Sequence, residues 1–201
     1  MKTTFLTAGI FLAAFSQAGV FDSGSGLNWA IPDNGFANFN LNVGGLTGKI
    51  TQIDLYFDPE HTFSGDIAID VVTPGGDVLD LLERPGETAP NTGASNRHLK
   101  SIFFGDTGAN AEFWGNQATN GTVDSATSGI VYAHSQFFSS DMFSAVTLLN
   151  GTYTFETFDE SAGDTGTIDR VVIRTTDVVP EPASLIVLGL GMAALIRRRK
   201  S

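Results

Sequence analysis

Ile50-Thr51-Gln52-Ile53-Asp54-Leu55-Tyr56-Phe57 alternates strictly: Ile53, Leu55 and Phe57 fall on one face, and Gln52, Asp54 and Tyr56 on the other. A period of two is what a strand with one buried face requires, because successive side chains leave a pleated backbone on opposite sides. Working outward, Ile67, Ile69 and Val71 repeat the pattern against Asp66 and Asp70. Thr73-Pro74-Gly75-Gly76-Asp77 then turns the chain into an apolar run, Val78 to Leu82. Further strands are expected over Ile102 to Phe104, over Thr152 to Phe158 with Tyr153, Phe155 and Thr157 on one side, and over Thr167 to Ile173. Between residues 19 and 178 no stretch carries an amphipathic-helix period. Short strands separated by Gly, Asn and Asp turns, without the spacing of βαβ units, predict an all-β fold: an antiparallel β-sandwich. Glu83 to Leu99 and Asn110 to Ser128 are polar and turn-rich and are expected to form long excursions. Phe113 and Trp114 would pin the second of these to the body.

The 201 residues suffice for one such domain plus processing segments at both ends. Of 22 acidic and 11 basic side chains, the stretch from Gly19 to Pro180 holds 21 and six, a net charge of −15. Such a surface repels phosphate backbones and anionic headgroups, so nucleic acid and peripheral membrane are poor partners and divalent cations are better ones. The absence of cysteine excludes disulfides, thiolate metal sites, cysteine nucleophiles and a lipoprotein anchor.

At the N-terminus, Met1-Lys2-Thr3-Thr4 precedes an apolar run from Phe5 to Phe15 and the small-x-small sequence Ser16-Gln17-Ala18. This is the order of a signal peptide occupying residues 1–18, with signal peptidase expected to cut after Ala18. At the C-terminus, Pro180-Glu181-Pro182 leads into Ala183 to Ile196 without a charge, then Arg197-Arg198-Arg199-Lys200. Two prolines hold the backbone extended, a form a processing enzyme can grip. As a helix, the 14 residues 183–196 rise about 21 Å, short of a hydrocarbon core of about 30 Å. Residence in the inner membrane would therefore be transient. The basic cluster would stay cytoplasmic and leave residues 19–180 outside, with the β-sandwich domain over 19–178.

The order of these elements resembles the PEP-CTERM sorting signal of exopolysaccharide-producing Gram-negative bacteria, over residues 179–201. The resemblance implies an exosortase as partner. That enzyme would cut near Pro180-Glu181-Pro182 and leave the protein in the envelope, on the cell surface or in the extracellular matrix. A second resemblance covers about Ile31 to Arg174. Ile31-Pro32-Asp33-Asn34-Gly35, His61-Thr62-Phe63-Ser64-Gly65-Asp66-Ile67 and Thr73-Pro74-Gly75-Gly76 are similar to the P domain, or Homo B domain, of proprotein convertases. So are Phe103-Phe104-Gly105-Asp106, Phe143-Ser144-Ala145, Asn150-Gly151-Thr152-Tyr153 and Asp159 with Gly163-Asp164-Thr165-Gly166. Tyr153 stands where that family has tryptophan. The fold this implies is a jelly-roll, galactose-binding-like β-sandwich.

In convertases the P domain accompanies a subtilisin-like catalytic domain, but no subtilase triad is legible here. Asp22-Ser23-Gly24 lies too near the expected cleavage site to have a presenting strand. None of His61, His98 and His134 sits in a His-Gly-Thr setting, and there is no Gly-Thr-Ser turn. The chain is expected not to be an enzyme. His61 reads either as a ligand or base, or as a structural residue bonded to a neighbouring backbone group. Asp66, Asp106, Asp159 and Asp164 each border a glycine-rich turn. Two readings stand side by side for them: calcium ligands, since Ca2+ takes six to eight oxygens from flexible turns, or turn caps. Asp58 beside Pro59 is a weaker candidate. Arg84-Pro85-Gly86 and Phe113-Trp114-Gly115 could meet an exopolysaccharide or a surface protein, with Trp114 either a sugar platform or a loop anchor.

Overall fold

A computed structural model describes residues 18–85, 87–88, 91–92, 97–106, 121–133 and 142–176. The alternating stretch forms strand β4, Ile50–His61, which runs four residues past its expected end. Before it come β1 (Val20–Asp22), β2 (Trp29–Ile31) and β3 (Gly35–Val43). After it come β5 (Ile67–Val72), β6 (Val78–Glu83), the short pair β7 (Glu87–Thr88) and β8 (Asn91–Thr92), and β9 (Arg97–Gly105). Then follow β10 (Gly121–Asp124), a four-residue helix α1 (Ser125–Ser128), β11 (Val131–Ala133), β12 (Gly151–Asp159) and β13 (Gly166–Thr175). Single 3-10 turns occupy Ser64–Asp66 and Phe143–Ala145.

Two sheets face one another. The larger has the order β1-β13-β4-β9-β10, with β2 also on β13 and β11 also on β9; the smaller is β3-β12-β5-β6. Ile53 and Leu55 of β4, Ile67, Ile69 and Val71 of β5, and Tyr153 and Phe155 of β12 are all fully buried in one core, as the alternation predicts. Burying a side chain of this size contributes roughly 1.5–3 kcal/mol. The layers are bridged by Trp29 of β2, which stacks on Phe39 of β3 at 5.2 Å and tilts against Phe155 at 5.5 Å.

Three features depart from the sequence expectations. The nine-residue β3, Gly35-Phe36-Ala37-Asn38-Phe39-Asn40-Leu41-Asn42-Val43, is not among the expected strands, and its asparagines disfavour one. The alternation is nevertheless complete, and Asn40 and Asn42 are held by Thr154 and Thr152 across the β3–β12 pair, each at 2.9 Å. The sheets are not wholly antiparallel, because β10 and β11 both run parallel to β9 along one edge. A parallel return needs a dozen or more connecting residues, and the turn-rich stretch after Gly105 supplies them. Asp54, assigned to the polar face of β4, is fully buried there. Arg174 of β13 covers it, with Nε and Nη2 each 3.0 Å from Oδ2, and Gln52 donates to Oδ1. Burial still pushes the Asp54 carboxyl above its ordinary value.

β1 runs antiparallel to β13, with Val20 opposite Arg174. Gly19 closes the pair: its amide donates to Thr175 Oγ1 at 3.1 Å and its carbonyl accepts from the Thr175 amide at 2.9 Å. Ala18, the expected cleavage residue, is exposed immediately outside this clasp. Residues 18–176 form one unit. No helix among the described residues is long and apolar enough to cross a membrane, and the span expected at 183–196 lies outside them.

Candidate functional site

The densest cluster of ionisable groups lies where β4 ends, the chain turns through Ser64–Asp66, and β12 runs into the loop before β13. His61 and Asp159, the last residues of β4 and β12, are both fully buried, with Nε2 3.2 Å from Oδ2. The Phe63 amide donates to His61 Nδ1 at 3.4 Å, which makes Nδ1 an acceptor and puts the ring proton on Nε2, facing the carboxylate. The imidazole is neutral in that arrangement. Burial acts the same way: it holds the His61 pKa below its ordinary value, against the opposing pull of Asp159, and pushes the Asp159 carboxyl up. Asp159 Oδ1 accepts from the Ser161 amide at 3.0 Å, so both of its oxygens are engaged.

Around this pair, Thr62 Oγ1 donates to Asp164 at 2.9 Å, and the Asp66 carbonyl accepts from the Glu160 amide at 3.1 Å. Burial, then the nearby Asp159 and Asp164 charges, raise the Asp66 carboxyl. Arg84 partially offsets the negative charge, with Nη2 2.7 Å from Glu160 Oε2. Gly166 closes the cluster. A Cβ there would lie 2.7 Å from the His61 Cα and 2.6 Å from its Cβ, so only glycine lets β13 pass this close.

Three of the four aspartates read as calcium ligands or turn caps, Asp66, Asp159 and Asp164, thus gather around His61. Asp106 stands elsewhere: its two oxygens accept the Phe143 and Ser144 amides at 2.7 and 3.2 Å and cap the 3-10 turn Phe143–Ala145. Among the described residues no group of three or more His, Asp or Glu side chains stands in a geometry that could hold a metal ion. For His61, the structural reading fits what is observed: the ring is sealed from solvent and bonded on both nitrogens. Neither Arg84 nor Glu160 was marked as part of this cluster by the sequence, since no local pattern ties either to residue 61. His134, Phe113 and Trp114 lie outside the described residues, as do Pro180, Glu181, Pro182, Arg197, Arg198 and Arg199.

Comparison with known families assigns the tail. The PEP-CTERM protein-sorting motif matches residues 178–200. That match marks the chain for exosortase-dependent sorting, and with it export to the surface or extracellular space of a Gram-negative bacterium. No P-domain family of the proprotein convertases matches the body. No curated protein matches the chain.

Proposed function

We propose that this chain is an exported surface or extracellular-matrix component whose β body is a non-catalytic structural or binding module delivered by exosortase. The observation that carries the delivery half is the sorting motif at residues 178–200. Supporting the non-catalytic half, the one His–Asp pair with both side chains fully buried among the described residues is His61–Asp159, which no substrate can reach. The P-domain resemblance supports a jelly-roll, galactose-binding-like arrangement of the two sheets. It also fits their detail: His61-Thr62 and Asp159 with Asp164, two separated parts of the quoted pattern, meet through the His61–Asp159 and Thr62–Asp164 contacts.

Mass spectrometry of the exported protein tests the delivery. In cells with an active exosortase the C-terminal peptide containing Arg197 to Ser201 is absent, and in cells lacking that enzyme it is present. Its retention in both strains would sink the sorting half. Loss of mature protein from the surface or matrix fraction on Glu181→Ala, with synthesis unchanged, is the companion result.

A further inference from the structure

We propose that the body carries a shallow binding cleft for an amino sugar, opened where β4 leaves its register with β9. Tyr56 pairs with Ser101 and His61 with Leu99, so five steps along β4 answer to two along β9. The surplus residues swing out of the ladder, leaving Asp58 exposed and Glu60 half-buried. Bulges of this kind redirect side chains and interrupt pairing beside functional sites. The result is a cleft of about 330 Å3 whose lining includes Tyr56, Asp58, Glu60, Lys100, Asp124 and Arg170. That volume is at the low end for small-molecule sites and suits one or two sugar rings.

The charges define what fits. Both cations are already engaged within the protein. Arg170 makes a two-pronged ion pair with Asp22 and lies 4.9 Å from the centre of the Tyr56 ring. Lys100 is 3.0 Å from Asp124, which also accepts from Ser101 and Thr127, each at 2.8 Å. The acids are in surplus. Asp58 has no hydrogen-bond or ion-pair partner among the described residues, and Glu60 has only His98, at 3.7 Å, and the more distant pull of Lys100. The carboxylate of Asp169, also in the lining, accepts one bond, from the Gly26 amide, while the Asp169 carbonyl takes the Leu27 amide. The unmet groups are therefore acceptors, spread around the rim of the cleft beside one aromatic wall.

An anionic ligand would be repelled. A metal ion would need the acids to converge, and they do not. A ring with hydroxyl donors around its edge and one ammonium matches distributed acceptors, with the ammonium at Asp58 and Glu60. A lysine side chain offers a single point donor on a flexible stem and leaves the rest of the rim unmet. This deepens the module reading above and rests on it. Because delivery is read from the tail peptide, failure of the cleft and failure of sorting are separately visible.

The test is calorimetric titration of the full chain, held in a mild detergent, with the tetramer of glucosamine, the tetramer of N-acetylglucosamine and tetralysine. The glucosamine tetramer is expected to bind, and the other two to bind at least about tenfold more weakly. Asp58→Asn combined with Glu60→Gln, both at accessible positions, weakens the glucosamine tetramer by about tenfold or more, as the loss of a charge-assisted hydrogen bond implies. Tyr56→Leu weakens it too. Absence of heat with the glucosamine tetramer overturns the proposal. So does tetralysine binding equally well, or unchanged affinity in the Asp58/Glu60 double variant with its circular dichroism intact.

Discussion

Replacing Asp159 with asparagine keeps the shape of the side chain and changes only what its two terminal atoms can accept. In the native protein both are acceptors: Oδ1 takes the Ser161 amide at 3.0 Å and Oδ2 takes the His61 Nε2 proton. Asparagine brings one acceptor and one NH2, so a donor must face a donor at one of the two places. The imidazole cannot relieve this by moving its proton to Nδ1, because the Phe63 amide already points there. One buried hydrogen bond is lost and one buried donor stays unmet, a cost of about 1–3 kcal/mol. Removing the desolvated charge returns part of that, so about 2 kcal/mol is expected.

Equilibrium urea unfolding reads this directly. At a slope of about 2 kcal/mol per molar, the midpoint drops by about 1 M. His61→Leu is expected to cost more, about 3–5 kcal/mol, because it leaves a buried carboxylate without its main partner. The pH dependence has a definite sign. Burial holds the folded-state pKa of His61 below the ordinary value of 6.5. Below about that pH the unfolded chain takes up a proton that the folded chain refuses, and stability falls. The His61→Leu variant lacks that contribution, so its deficit relative to the native protein shrinks as pH falls from 7 towards 5. Asp159→Asn lying within about 0.5 kcal/mol of the native protein, an ordinary surface effect, would refute the proton placement.

Three further outcomes are expected. Gly166→Ala forces β13 off His61, where its Cβ would lie 2.7 Å from a backbone atom, and costs about 3 kcal/mol in the same urea assay; an effect below about 0.5 kcal/mol would show that the strands separate freely. Asp70 and Asp80 face each other across β5 and β6, and burial first, then Asp80, push the Asp70 carboxyl to about 7. Since the folded pKa lies above the unfolded one, ionised Asp70 destabilises the fold at high pH; Asp70→Asn is then more stable than the native protein by about 1 kcal/mol or more at pH 8, the gap narrowing as pH falls through about 7 and closing only below the unfolded value of 3.8, and a gap that widens on acidification contradicts it. Chelator and added calcium leave the melting temperature within about 1 °C, because Asp106 caps a turn and Asp159 serves His61 and Ser161. A calcium-dependent rise of several degrees would favour the reading of the aspartates as calcium ligands.

What the sequence discloses here is what lies within one strand. Ile53, Leu55, Ile67, Ile69, Val71, Tyr153 and Phe155 declare their face by local period, and the core accepts them on that face. β3 hides the same period behind Asn38, Asn40 and Asn42, residues that disfavour strands in isolation and are tolerated where threonines of β12 bond them. The parallel edge at β9 cannot be read locally, because parallel and antiparallel partners share one side-chain period. The candidate sites follow the same division. His61 and Asp159 each stand out beside a turn, but their pairing spans 98 positions and carries no local signature. The cleft between Tyr56 and Lys100 is a property of register, created by a mismatch between two strands.

The clasp between Gly19 and Thr175 sets the geometry of processing. Both ends of the described body, Gly19 and Thr175, lie side by side at one corner of the larger sheet. Only four residues, 177–180, separate Thr176 from Glu181, a reach of at most about 18 Å over five extended steps. With the leader removed after Ala18 and the tail near Pro180-Glu181-Pro182, as proposed, both new termini would start from that one corner, and a bulky tag on one would be expected to crowd the other.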